Sequence, residues 1–397
     1  MALATGTASF QRFSFGGNAP AELSAEWLAA MQSRIFGAMP PQSDDVQVGW
    51  IGPRHLFETE LRPEVVGIGA FAHVALRTDR LRTPPAVLRA YVRQEEDAAR
   101  EAAGRDMLSR AERKRAREAA ALRAEQEARG GAFRRMQSYP VLIDFESRMV
   151  LLGGGGALLA DRLMHLFYET FSVTLEPLDP ERLAARLMLA ARNERSLENL
   201  QPLRLVNPPS DPREHLERAP LVVGDLAFLG KEFLTWLWFR SDAADASLRV
   251  RSGDGVTVML DRTLRLKCDF GLSGVNTISA DGPTQLPEAR AALRIGKQPV
   301  RAGLIVGGPT GEFRFTLSAD RFSINGLTLP NEPAEADLRA RLEQRFTRIM
   351  EATALLDALY ESFLIERVSR DWTRIAQQLT AWVAESGRGP AVRAASA

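Results

Sequence analysis

Cysteine is all but missing from this chain. Cys268 stands alone among 397 residues, which excludes an intrachain disulfide framework and a structural zinc cluster built on cysteines. Histidine is scarce too. His55, His73, His165 and His215 are the full set; no two are spaced to pair on one helix face, and no His-Glu-x-x-His occurs. An excess of one charge is also missing. Lys and Arg total 51 against 50 Asp and Glu, a formal net charge of +1, so any contact with a polyanion must come from local clustering. Long hydrophobic runs are absent: no stretch approaches the roughly 18 uncharged apolar residues of a membrane span. The opening "MALATGTASFQRFSF" lacks a basic region followed by an apolar core, so a secretory signal is not expected and a cytoplasmic location is.

What is present is ample material for a core, since 45% of the residues are hydrophobic and a chain of this length divides into two or three domains. "TASFQRFSF" alternates as a strand, and "LSAEWLAAMQSRIF" follows as an amphipathic helix capped by Ser24. "IGAFAHVALRTDR" is a second strand candidate. Thr83-Pro84-Pro85 then sets a helix start, because proline is tolerated where the first amide needs no internal partner. That helix is expected from about Ala86 to Ala128, and its scarcity of large apolar residues after Val92 predicts that it projects from the core. "YPVLIDFESRMVLLGG" reads as a hairpin, "GALLADRLMHLFYETF" as a helix and "SVTLEPL" as a returning strand. The Pro-rich "QPLRLVNPPSDPREHLERAP" joins regions. Strand-like runs follow, among them "GVTVMLD", "TLRLKCDF" and "EFRFTLSAD", and in the last of these Phe313, Phe315 and Leu317 share one face. The chain ends in helices. The expected class is α+β, with residues 1–85 and 135–200 forming a central α/β region. Residues 86–130 make a long projecting helix or helical arm, 201–333 a strand-rich second domain, and 334–397 a C-terminal helical region.

Catalytic motifs fail on inspection. "VLLGGGGALLADRL" places glycines between a strand and a helix, yet no Gly-Lys-Ser/Thr ends the loop. The dinucleotide spacing breaks at Leu158, so a tight turn is the better reading. The histidines and Cys268 read as structural or surface residues, and no carboxylate spacing selects an acid/base pair. No cofactor or metal is expected, and an enzyme would need a site assembled from distant segments. In "EFLTWLWFR", Trp236, Trp238 and Phe239 read as packing residues before base-stacking ones.

One segment resists a bland account. Between Arg105 and Arg117 lie six basic residues, Arg105, Arg110, Arg113, Lys114, Arg115 and Arg117. On a helix Arg110, Arg113 or Lys114, and Arg117 make one side of two turns cationic. Arg89, Arg93 and Arg100 extend that face if the helix is continuous. Three readings stand beside one another: phosphate contact without base selection, a partner-protein helix, or a solvated face in which Glu95, Glu101, Glu112 and Glu118 balance the arginines.

The order of several segments resembles the RdgC family of recombination-associated DNA-binding proteins. They are "GTASFQRFSF", "VGWIGPRHLFETE", "VALRTDRLRTPPAVLRAYVRQE", "MLSRAERKRAREAA", "LGKEFLTWLWFRS" and "ALLDALYESFLIER". The resemblance spans nearly the whole chain and rests on order, with no single diagnostic motif. It implies a ring-shaped homodimer around double-stranded DNA, nucleoid association, binding without strong sequence preference, and interplay with a recombinase whose access it limits. It also implies that the basic residues 105–117 line the DNA passage and that Phe133 in "GAFRR" makes a dimer contact. Lys267 and Lys297 would fall in the positively charged gate or lining. The chain departs from the family by a longer C-terminal half with inserted strand pairs.

Overall fold

The computed structural model describes residues 3–38, 46–206, 226–242, 247–251, 253–268, 274–330 and 337–385. Among these, thirteen strands join one antiparallel sheet: β1 (Ala8–Phe15), β2 (Val46–Ile51), β3 (Gly67–Ile68), β4 (Phe71–Leu81), β5 (Arg134–Asp144), β6 (Met149–Gly153), β7 (Leu175–Pro177), β8 (Ser247–Arg249), β9 (Gly255–Cys268), β10 (Asn276–Ala280), β11 (Lys297–Gly308), β12 (Gly311–Ser318) and β13 (Ile324–Thr328). Their order across the sheet is β10-β9-β11-β12-β13-β1-β6-β5-β4-β2, with β3, β7 and β8 pairing β4, β1 and β9. The helices are α1 (Ala25–Ser33), α2 (Pro63–Val66), α3 (Pro85–Ala103), α4 (Arg110–Arg129), α5 (Ala157–Phe171), α6 (Pro180–Ala190), α7 (Leu229–Ser241), α8 (Pro287–Arg294), α9 (Leu338–Arg367) and α10 (Trp372–Glu385). The class is α+β. No helix among the described residues is long and apolar enough to cross a membrane.

The two-residue period of each strand sorts its side chains between two cores. On the first face Phe10, Leu151, Leu304 and Phe315 pack with Phe346, Leu356 and Phe363 of α9 and with Phe233 and Trp236 of α7. On the second, Phe13, Trp50, Val74 and Leu152 pack with Met31 of α1 and with Leu163 and Phe167 of α5. The sheet runs unbroken from one half of the chain to the other, because β1 pairs β6 on one side and β13 on the other. The second face is not covered throughout. Past β1 it carries exposed Thr257, Met259, Arg265 and Lys267 on β9 and Glu312 and Arg314 on β12.

Local signals placed several elements where the sequence predicts them. Ser24 accepts a hydrogen bond from the amide of Trp27 at 3.1 Å, Pro85 opens α3, and Phe313, Phe315 and Leu317 are buried together. Three expectations change. The helix predicted from Ala86 to Ala128 is two helices, because Gly104 takes a left-handed φ of 60° and its amide caps Arg100 and Glu101; a glycine adopts this conformation without the steric cost of a side chain. Arg89, Arg93 and Arg100 therefore lie on a different helix from the basic run. "GVTVMLD" and "TLRLKCDF" form one strand, β9, with an irregular register against β11. It is accommodated at Gly303, where a Cβ would lie 2.0 Å from the carbonyl oxygen of Asp261. "SVTLEPL" yields only the three-residue β7. Most of the Pro-rich joining passage lies outside the described residues.

His73, on β4, is 3% exposed, with its Nε2 unbonded among the described residues and its ring 5.0 Å from that of Phe346. Burial pushes its pKa down to about 4. The folded state therefore favours the neutral ring. The associated stability is present above the unfolded pKa of about 6.5 and is lost as pH falls towards 4, to a total of about 3 kcal/mol. Urea unfolding at pH 7 and pH 4 should show this loss in the wild type and a smaller one in His73→Leu; equal losses would reject the assignment.

Candidate nucleic-acid interface

Helices α3 and α4 pack on one another as an antiparallel hairpin between β4 and β5. Ala116, Ala120, Ala124 and Ala128 are the buried residues of α4, and their four-residue spacing gives one side of the helix small enough for close approach. Cross-links hold the pair in register. Tyr91 donates its hydroxyl hydrogen to Glu127, and the Arg123 guanidinium sits 4.2 Å from the Tyr91 ring centroid. The turn ends in a capping box: the Ser109 hydroxyl accepts from the Glu112 amide at 3.3 Å, and the Glu112 carboxylate accepts from the Ser109 amide at 2.7 Å. These bonds from Ser109, with one from Arg105, lower the Glu112 pKa to about 2. In the sequence this Ser-x-x-Glu start is masked, because Ala, Arg and Glu continue on both sides of it.

The structure brings together five of the predicted cations on the first turns of α4. Arg110, Arg113, Lys114, Arg115 and Arg117 are all exposed. Lys114 lies 3.7 Å from Glu118, and Arg105, in the turn, pairs with Glu112 at 2.7 Å. Among the described residues no carboxylate comes within 4.0 Å of Arg110, Arg113, Arg115 or Arg117. At 3.6 residues per turn, Arg110, Arg113, Lys114 and Arg117 span a sector of about 100°, with Arg115 on another side. This placement runs against the helix dipole, whose positive end lies at the N-terminus. The capping box offsets part of that conflict, and Glu112 is the one carboxylate in the first turn.

Lys267 and Lys297 part company. Lys267 is exposed on the uncovered sheet face. Lys297 is 5% exposed, and its ammonium donates to the Gly274 carbonyl at 2.8 Å and to the Asn276 side-chain oxygen. It is a structural tie to the segment entering β10, and burial removes it from the set that could meet a phosphate. Two arginines join Lys267 instead. Arg265 lies directly opposite Arg301 across the β9–β11 pairing, and neither makes an ion pair among the described residues. The alternation Leu264-Arg265-Leu266-Lys267 already marked one cationic face of that strand, whereas the opposition of Arg301 depends on a register irregularity that no local pattern reveals.

Phe133 links α4 to β5 with a left-handed φ of 63° and is half-buried, a conformation that costs a non-glycine residue of order 1–3 kcal/mol. Trp236 and Trp238 are buried in the first core, and the Trp236 indole donates to Glu366 at 2.9 Å. The glycine-rich run forms the link from β6 to α5. His55 accepts from the amide of Phe57, His165 lies 3.4 Å from Glu169, and His215 lies outside the described residues. Cys268 is buried at the end of β9. One cleft of about 950 Å³ is lined by Trp27, Arg148 and Arg186, and another of about 590 Å³ by Asp144, Glu343 and Asp357. Neither brings a carboxylate together with His73 or His165. No group of three or more His, Cys, Asp or Glu among the described residues could hold a metal ion.

Comparison with protein-family models and with curated proteins finds no match.

The different settings of the two lysines give a direct test. Lys297→Ala removes a buried side chain together with its bonds to the Gly274 carbonyl and to Asn276 and should lower stability by about 1–3 kcal/mol, whereas Lys267→Ala should change it by less than about 0.5 kcal/mol. Denaturant unfolding of both variants measures the difference, and equal effects would contradict these roles.

Proposed function

We propose that this protein binds double-stranded DNA without base selection, as a homodimer, and so limits access of a recombinase to the duplex. The observation that carries the reading is the group of exposed arginines on the first turns of α4, which have no carboxylate partners within the described residues and stand at the helix end least favourable to cations. Flexible cationic stems meet phosphate without fixing a base register. The uncovered sheet face, with Arg265, Lys267 and Arg301, supplies a second cationic surface. The resemblance to the RdgC family adds the ring and the recombination context, in which a dimer closed around the duplex obstructs growth of a recombinase filament. A near-neutral net charge is compatible with this, because a cationic surface can be local.

The test is the quadruple substitution Arg110→Gln, Arg113→Gln, Lys114→Gln and Arg117→Gln, with folding checked by circular dichroism. Binding to several unrelated duplexes should weaken by similar factors, and the dependence of log affinity on log salt should flatten by roughly one or less per lost phosphate contact. Stability should hold or rise slightly, since the replaced charges oppose the helix dipole. A folded variant with wild-type affinity and salt slope would remove this helix from the DNA site and favour a partner-protein helix.

We assign Phe133 to the dimer contact. Its strained backbone and half-buried ring, beside the exposed Arg134 and Arg135, fit an anchor completed by a second copy. Sedimentation equilibrium should show a dimer in the wild type that dissociates at least tenfold more readily in Phe133→Ala. An unchanged dissociation constant would assign the ring to packing within one protomer.

A further inference from the structure

A second cationic group lies at the root of the hairpin, away from its tip. Arg80, near the end of β4, stands directly opposite Arg135, near the start of β5. Like charges at directly opposed positions destabilise a strand pair. Two and four residues further along the ladder, the same side of the sheet carries Thr78 opposite Gln137 and Leu76 opposite Tyr139. Leu76 and Tyr139 pack in the core beneath α5, so Arg80 and Arg135 extend from the edge of the surface that this helix covers. Arg162, on α5 over this core, is near enough to Arg80 for the two charges to interact. Burial lowers its pKa first, and the charge of Arg80 lowers it further, while Tyr139 acts on it in the opposite direction.

Among the described residues, the carboxylates nearest this charge do not pair with it. Asp79 points to the other face of β4, where it accepts two hydrogen bonds from Arg77 at 2.8 Å and faces Arg134 at 3.9 Å. Glu169, two turns along α5, pairs with Arg34 and His165. Asp161, beside Arg162 in sequence, makes no ion pair with it. Among the described residues, Arg80, Arg135 and Arg162 have neither a carboxylate within 4.0 Å nor a side-chain hydrogen bond. Arg80 thus stands against two other guanidinium groups, one of them partly desolvated, with no counter-charge among the described residues, a setting that favours an anion. The planar fork of a guanidinium suits a tetrahedral oxyanion through paired N–H···O bonds.

We propose that Arg80, Arg135 and Arg162 form a phosphate clamp at the root of the α3–α4 hairpin, with the Tyr139 hydroxyl as a neighbouring donor. The ligand chemistry is a phosphate group, carried either by a nucleic-acid backbone or by a small phosphorylated molecule. The clamp does not depend on the DNA-binding reading. It predicts an unusual stability signature: the site is strained when empty and relieved when filled.

Pyrophosphate is the probe. In phosphate-free buffer the triple variant Arg80→Gln, Arg135→Gln, Arg162→Gln should melt at or above the wild-type temperature, because repulsion is removed. Pyrophosphate should raise the wild-type melting temperature by several degrees and leave the triple variant unmoved. The single variant Arg135→Gln, altered at an exposed position, should bind pyrophosphate about tenfold more weakly by calorimetry. It keeps the test open if the triple variant fails to fold. A wild type indifferent to pyrophosphate, or variants that respond as the wild type does, would overturn the clamp. A duplex-DNA salt series separates the sources. A flatter salt slope in the clamp variants assigns the phosphate to the nucleic-acid backbone, whereas an unchanged slope with pyrophosphate binding lost assigns it to a small molecule. If the wild type binds no duplex at all, the DNA reading fails, and the pyrophosphate measurements still decide the clamp.

Discussion

Eight residues, Ala8–Phe15, hold the two halves of the sheet together, because β1 pairs β6 along one edge and β13 along the other. Its side chains serve both cores, Phe10 in one and Phe13 and Phe15 in the other. Arg12 adds a fixed point. Its fully buried side chain reaches Asp357 of α9 at 2.5 Å, and a buried cation deprived of its partner is costly enough to make that contact a strong constraint on where α9 lies. With α9 fixed over β1, the remaining helices of the first face have a surface to pack on. Arg367, at the far end of α9, reaches Glu232 of α7 at 2.7 Å.

One face carries a continuous core from β4 to β10, while the other changes character along the sheet. Beneath α1 and α5 it is aromatic and closed, with Trp27 stacked on Phe171 at 3.9 Å between ring centroids. Past β1 it opens and turns cationic and polar. The same strand chemistry accounts for both, since an antiparallel sheet tolerates water on one side when alternate positions are polar. The opposed Arg265 and Arg301, and the opposed Arg80 and Arg135, share a further property: strand pairing places like charges together against local electrostatics. Both are arrangements that local electrostatics opposes.

How much of this could be read from the residues depended on distance along the chain. Caps, proline starts and two-residue alternation act over a few positions, and Ser24, Pro85 and the Phe313–Leu317 face were legible for that reason. The break at Gly104 was also local. In the sequence, helix-favouring composition on both sides outweighs one glycine and a Ser109–Glu112 cap. The candidate site divided on the same line. The basic run before Arg117 is contiguous and visible, whereas the fate of Lys297 depends on Gly274 and Asn276 some twenty residues away. Arg80 and Arg135 are separated by the whole hairpin, and only strand register reveals that they are neighbours.

That hairpin has a topological property of its own. Leu81 and Arg134 are directly paired, so the chain leaves the sheet and returns to it at a single rung. Everything between them, both helices and the cationic tip, extends from one end of the β4–β5 pair. The arm's length is therefore set apart from the sheet, and its reach is a variable independent of the fold. The size of such a part is set by counting helical turns.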